Sequence, residues 1–202
     1  RRGGGRARHG NVPGALPHGG VRLPAAPRAL SMFLKNAERQ EARRQMVRAI
    51  DSLRHADEAD VLSIAKDLMV AINAPLAEVK STQQAILEQN ADYLSRGAMK
   101  QLEDRNKREL SARERSGIME ALASARSLLR DVLMRLQGVP APAMNGDVED
   151  IIDRLCSAAT VTGATAALDA VASAERCIAR NVTPQLAIEV MLFDIRKALT
   201  CP

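Results

Sequence analysis

Residues that could take part in chemistry are spread along this 202-residue chain without an established catalytic spacing. The run Lys80–Ser81–Thr82 resembles the end of a phosphate-binding loop, in which the backbone amides of a glycine-rich turn surround the phosphate. No glycine lies in the ten residues before Lys80. We therefore predict that this run lies on the surface of a helix and binds no nucleotide.

Histidine and cysteine, which bind metal ions or act as nucleophiles, are few and far apart. His55 is the one histidine outside the first thirty residues, and Cys156, Cys177 and Cys201 form no Cys-x-x-Cys pair. Zinc sites and disulfide frameworks need more regular cysteine spacing. We expect Cys156 and Cys177 to be buried, reduced thiols. The sequence therefore predicts no catalytic, cofactor-binding or metal-binding residue.

The positive charge of the chain is concentrated at its beginning. The formal net charge is +5, but residues 1–30 hold six arginines and no acid, whereas residues 31–202 hold 23 basic and 24 acidic residues. The first thirty residues also contain seven glycines and four prolines, and they have too few large apolar side chains to offset their ordering entropy. We expect a disordered tail, or a non-native stretch from a truncated gene or a shifted reading frame.

A nucleic-acid-binding protein is the class that a basic chain first suggests, because a basic arm can contact phosphate groups. Single-strand binding also uses aromatic side chains on which bases stack, and this chain has only three aromatic residues. No apolar run of about 18 residues predicts a membrane-spanning helix. We expect a soluble, cytoplasmic protein whose body is nearly neutral.

From Ser31 onward the composition predicts an all-α helical bundle, because strong helix formers dominate and no strand-like alternation occurs. Residues 31–53 predict a charged first helix. Asp57 is expected to cap the second, whose apolar face is Val61, Ile64, Leu68 and Ile72. Pro75 predicts a break or kink, and a weaker apolar face from Leu76 predicts a third helix that stops at Gly97.

A long helix is predicted in the middle of the chain. The mostly charged segment Lys100–Glu109 is either a solvated connector or a continuous polar helix. Ser111 and Glu114 have the spacing of a capping box, which predicts that the long helix begins there and extends to Gln137. Its apolar residues have coiled-coil spacing and are called the heptad face: Ile118, Leu122, Ala125, Leu129, Val132 and Leu136. Such a face needs a partner helix, from the same domain or from another subunit.

Three further helices are predicted after the turn at Asn145–Gly146. Asp147 and Thr162 are the expected caps of the first two, and Thr183–Pro184 is a strong start for the last. The last helix is apolar nearly all round, which is typical of a helix buried by several neighbours. We predict that it is the central helix of the C-terminal bundle.

Two stretches carry a resemblance to a known family. Arg108–Arg115 and Ala174–Glu189 resemble the C-terminal region of bacterial DNA polymerase III delta-prime subunits. Within the second stretch, the residues that match the run opening the final collar helix of those subunits are Asn181, Val182, Pro184, Leu186, Ala187 and Glu189. The matched region extends from about residue 35 to residue 200 and is most specific in the last forty residues.

The resemblance implies a non-catalytic subunit of the clamp loader, or a fragment of one. Residues 31–105 would be the helices that connect the AAA+ lid to the collar, since Glu38–Arg48 is similar to that connection, and residues 106–202 would be the helical collar (oligomerisation) domain. The partners would be the motor and delta subunits. Through them the chain would help to load the sliding clamp onto primed DNA, with only indirect contact to DNA and none to a membrane.

The chain departs from the family pattern in its functional residues. Members carry an AAA+ module with a cysteine zinc site and a Ser-Arg-Cys motif, but this chain has no four-cysteine cluster, and Cys156 follows Leu155 rather than an arginine. None of those functional residues is therefore carried over. The alternative is a self-associating coiled-coil or helical scaffold protein unrelated to replication.

Overall fold

The computed structural model describes residues 40–140 and 143–200, and within these ranges the chain is all-helical. The helices, in chain order, are α1 (residues 40–52), α2 (Glu58–Asn73), α3 (Leu76–Asn90), α4 (Arg96–Leu136), α5 (Glu149–Ala158), α6 (Val161–Ala179) and α7 (Pro184–Thr200). The all-α prediction is confirmed over these ranges. The predicted tail and residues 31–39 of the predicted first helix lie outside the described residues.

The second half of α4 lies in the middle of the hydrophobic core. Of the heptad face, all residues except the half-buried Leu136 are fully buried. Helix α4 packs most extensively against α6, and it also contacts α2, α3 and α5. The partner that the heptad face needs is therefore supplied by the same chain. Helix α7 packs against α6, α2 and α5, and its place as the central helix of the C-terminal bundle stays a prediction.

Helix α4 is one uninterrupted helix of 41 residues, so the predicted stop at Gly97 and start at Ser111 are both wrong. The third helix already ends at Asn90, and Ser95 caps α4, its Oγ accepting a hydrogen bond from the Ala98 amide at 3.3 Å. Strong helix formers fill the segment around Ser111, so nothing ends the helix there and the capping-box spacing is incidental. Of the two interpretations of Lys100–Glu109, the continuous polar helix is confirmed.

Other predicted helix ends are partly confirmed. Asp57 caps α2 through a capping box: Asp57 Oδ1 accepts from the Asp60 amide at 2.8 Å, and Asp60 Oδ2 accepts from the Asp57 amide at 2.9 Å. The break at Pro75 and the start of α7 at Pro184 are also confirmed. Thr162 is not a cap, because the backbone is already extended at Ala159, and the Thr160 hydroxyl accepts from the Gly163 amide instead.

Asp147 is not a helix cap either; it belongs to a polar network that joins α1, α4 and the loop before α5. A short 3-10 turn precedes α5, and Arg43 donates to both carboxylate oxygens of Asp147 at 2.7 Å. Arg43 also donates to Asn145 Oδ1 at 2.9 Å. The buried Asn145 donates through its backbone N and its Nδ2 to Oδ2 of the buried Asp131, at 2.9 and 2.8 Å. The network fixes this loop on the core.

The ion pair at Asp147 makes stability depend on pH. The pKa of the Asp147 carboxyl group is held below its ordinary value, chiefly by the hydrogen bonds from Arg43. Such a carboxylate stabilises the fold above its unfolded pKa of about 3.9, and this stabilisation is lost as the pH falls through the folded pKa. We expect Asp147→Asn to cost less than about 1 kcal/mol at pH 7, because the Asp147 side chain is 61% exposed and screened by solvent, and to cost less at about pH 2, where the carboxyl group binds more protons.

Urea denaturation of the native chain and of Asp147→Asn at both pH values measures this difference. Asp67→Asn, an exposed position on α2, is the matched control and should change little at either pH. An equal loss of stability for Asp147→Asn at both pH values would contradict the assignment to this ion pair.

Candidate assembly surface

The residues that the sequence singled out for chemistry do not converge in the structure. Lys80, Ser81 and Thr82 are exposed on α3, as predicted, and the Thr82 hydroxyl donates to the Glu78 carbonyl at 3.0 Å. His55 is exposed in the turn after α1. Among the described residues, no three histidine, cysteine or acidic side chains are placed to hold a metal ion.

The cysteines are less buried than predicted. Cys156 and Cys177 are both free and only partly buried, while Cys201 lies outside the described residues. Burial raises the pKa of the Cys156 thiol, and its Sγ lies 3.6 Å from the Val132 carbonyl, to which it donates. A raised pKa keeps this thiol protonated at neutral pH, and a protonated thiol is a poor nucleophile.

The two segments that carry the family resemblance lie together in the fold. Arg115, at the end of the first, donates through Nη2 to the Ile178 carbonyl and, at 3.2 Å, to Asn181 Oδ1. Asn181 has a positive φ of 62° and lies just beyond the end of α6, a conformation that asparagine tolerates better than most residues. Arg115 therefore attaches the middle of α4 to the end of α6.

Helices α6 and α7 form a closely packed antiparallel pair. Residues 180–183 connect them, and Gly163 near the start of α6 lies against Ala198 near the end of α7. A Cβ atom at position 163 would lie 2.3 Å from the Ala198 carbonyl oxygen. The two backbones can approach this closely only because residue 163 has no side chain.

A shallow groove of about 510 Å³ runs along the outer side of this pair. Its α6 side is formed mainly by small residues, and its α7 side is charged. Six of the residues that line the groove are Gly163, Ala166, Ala170, Ser173, Asp194 and Lys197. Small side chains leave room for another backbone to approach. The small side chains of α6 therefore let the backbone of a partner helix come close.

The prediction that α7 is buried on every side is wrong. Its buried face consists of Ala187, Ile188, Met191, Leu192, Ile195 and Leu199, but Leu186 and Val190 are each 51% exposed. Positions 186, 190, 194 and 197 follow one another at helical spacing, so the two exposed apolar residues continue the α7 side of the groove. We call these two residues and the six groove residues together the α6–α7 face. Among the described helices, α2, α5 and α6 pack against α7, and they leave these two residues half-exposed.

Comparisons with protein-family models, with curated proteins and with solved structures give no match to this chain. The resemblance to delta-prime subunits therefore stays a prediction from the two sequence segments. Among the described helices, none is by itself long and apolar enough to cross a membrane, although the bent pair Gly146–Ala158 and Val161–Ala179 together has the required length and composition.

Proposed function

We propose that this chain is a non-catalytic subunit, or part of a subunit, of a bacterial DNA polymerase III clamp loader. In this role it acts in the cytoplasm as a collar module of the delta-prime type, binds the motor and delta subunits, and helps to load the sliding clamp onto primed DNA. The observation that carries the proposal is the α6–α7 face, because it exposes apolar residues on the helix that resembles the final collar helix.

The chemistry of this face suits an assembly contact with another helix. Leu186 and Val190 are half-exposed and one helical turn apart, so covering them would contribute about 1 kcal/mol each, roughly half the value for full burial of such side chains. Asp194 and Lys197 lie on the same stripe of α7. Charged groups beside an apolar contact select the partner and fix its register rather than adding much affinity.

A second observation supports the proposal. Arg115 and Asn181, which belong to the two resembling segments, are 66 residues apart in the sequence and joined by a hydrogen bond. A second link is the 2.5 Å ion pair between Arg126 and Glu175, farther along the same two helices. The segments identified in the sequence thus form one structural unit that holds α6, and with it α7, on the core.

Co-purification tests the proposed assembly. The full chain should co-elute with intact, tagged motor and delta subunits. The double variant Leu186→Glu/Val190→Glu should weaken the complex at least about tenfold, because two carboxylates would enter an apolar contact. The matched control is Leu62→Glu/Val70→Glu on α2, where both side chains are exposed to a similar degree, at 47% and 64%.

Circular dichroism of both variants checks that the fold is retained. Absence of co-elution for the native chain, or an equal loss with the control variant, would contradict the proposal. Self-association through the heptad face is disfavoured in the described part of the chain, because residues 118–132 of that face are buried against its own helices.

A further inference from the structure

Helix α3 and the first part of α4 form an antiparallel hairpin with a large open groove. The groove has a volume of about 830 Å³ and is called the hairpin groove. Its apolar lining comes from the end of α2, from α3 and from α4: Ile72, Pro75, Leu76, Val79, Ile86 and Leu102. In α3 only Leu76 and Gln83 are buried. The described residues thus leave most of the apolar side of α3 uncovered.

The middle of the hairpin groove contains a polar group without a hydrogen-bond partner. Asn106 lines the groove, and its Nδ2 is buried and has no hydrogen-bond acceptor among the described residues. Beside it, Glu109 accepts from Arg113 Nη2 at 2.7 Å and from Gln83 Nε2 at 3.3 Å. A buried donor without an acceptor is unfavourable and rare in folded proteins. Nδ2 has almost no surface open to the groove as described, so an occupant that offers a carbonyl oxygen satisfies it once the Asn106 side chain rotates.

The chain enters the described structure at one end of this groove. Ala42, in the first turns of α1 as described, lines the groove together with Ile72 and Gly117. The nine residues that precede the described structure after the predicted tail, residues 31–39, contain the consecutive apolar residues Met32, Phe33 and Leu34. A large apolar cluster is therefore tethered directly to the rim of an apolar groove.

The length of the tether matches the length of the groove. From Leu76 to Ile86 the α3 side spans about 15 Å at the helical rise per residue. From residue 40, where α1 begins as described, back to Phe33, seven residues span about 23 Å when extended. An extended tether is therefore long enough for Phe33 to reach the far end of the groove, at Ile86 and Leu102.

We propose that residues 31–39 of this chain occupy the hairpin groove, with Met32, Phe33 and Leu34 covering Ile86 and Leu102. A tether this short gives a local concentration in the millimolar range, so the segment competes effectively with any untethered helix. Charge favours the same occupant, since residues 31–39 hold two basic residues and one acidic residue, whereas the groove lining holds three acidic and two basic residues. This contact is internal and independent of the proposed assembly.

Photo-crosslinking of the full chain tests this proposal directly. Benzoylphenylalanine replaces Phe33 in one sample and Leu23 in the control. From position 33 we expect crosslinks within one chain, to residues 76–106, at a yield that does not change with protein concentration. From position 23 we expect no such preference. Crosslinked dimers whose yield rises with concentration would show that a second copy occupies the groove and would overturn the proposal, as would crosslinks spread evenly over the surface.

Amide hydrogen exchange provides a second readout that does not require a probe. The variant Met32→Ser/Phe33→Ser/Leu34→Ser should exchange at least about tenfold faster at residues 79–90 and 99–106, because covered helices open less often. The matched control Leu16→Ser/Val21→Ser/Leu23→Ser removes three apolar side chains from the preceding thirty residues and should leave these amides unchanged. Equal exchange in the two variants would overturn the proposal.

Discussion

Gly163→Ala is expected to lower the free energy of unfolding by about 3 kcal/mol, at the upper end of the cost of overpacking. The added Cβ would lie 2.3 Å from the Ala198 carbonyl oxygen and 3.3 Å from the Thr160 hydroxyl. A flexible side chain can move aside at little cost, but the carbonyl oxygen belongs to the backbone of α7. Helices α6 and α7 must therefore separate, and the contacts between them loosen along their length.

Gly97→Ala is the matched control for this substitution. Gly97 lies in the first turn of α4, and a Cβ there meets nothing within 4 Å. Alanine is the better helix former, so this variant should be more stable by up to about 1 kcal/mol. Urea denaturation monitored by circular dichroism measures both variants. A stability of Gly163→Ala within about 0.5 kcal/mol of the native chain would show that α6 and α7 are not closely packed there.

Asp131→Ala is expected to cost about 3 kcal/mol, the value typical of removing one partner from a buried charged hydrogen-bond network. The substitution removes the oxygen that accepts from both the backbone N and Nδ2 of Asn145. Nδ2 keeps Ser127 Oγ as an acceptor at 2.9 Å, but the backbone N–H loses the acceptor that the structure gives it. The loop before α5 should then detach from α4.

Arg130→Ala distinguishes the contribution of the surface ion pair between Arg130 and Asp131 from that of the buried network around Asn145. Arg130 Nη1 lies 3.3 Å from Asp131 Oδ1, but the arginine is on the exposed side of α4, so its removal should cost less than about 1 kcal/mol. Thermal and urea denaturation compare the two variants. Similar losses of stability in both would contradict the view that Asn145 is the important partner of Asp131.

The core could be predicted from the sequence wherever apolar residues recur at helical spacing along one face of a helix. The heptad face identified five residues that are fully buried, and Asp57 and Pro184 identified two helix starts. These predictions succeed because helical periodicity and capping are local, so a few neighbouring residues determine them.

The remaining features depend on contacts between residues that are distant in sequence. Arg43 and Asp147 are 104 residues apart, and no local pattern pairs them. Leu186 and Val190 belong to a helix that is apolar nearly all round, and their exposure depends on which neighbours cover α7. Local signs of an exposed side are Asp194 and Lys197 on the same stripe, and Gln185 and Glu189, which hydrogen-bond to each other beside it. Helix α4 was divided wrongly because a capping-box spacing also occurs inside helices.

The length of α4 has a mechanical consequence. Its buried residues begin at Ile118, so the 22 residues before it form an arm of about 33 Å that is braced by α3 and ends near Tyr93, which is 86% exposed. An α-helix of this length acts as a stiff lever whose pivot is the core. A tilt of about 5° at the pivot moves the tip by about 3 Å at this arm length. We expect a contact at the tip to act through this arm on the packing of α4 against α6.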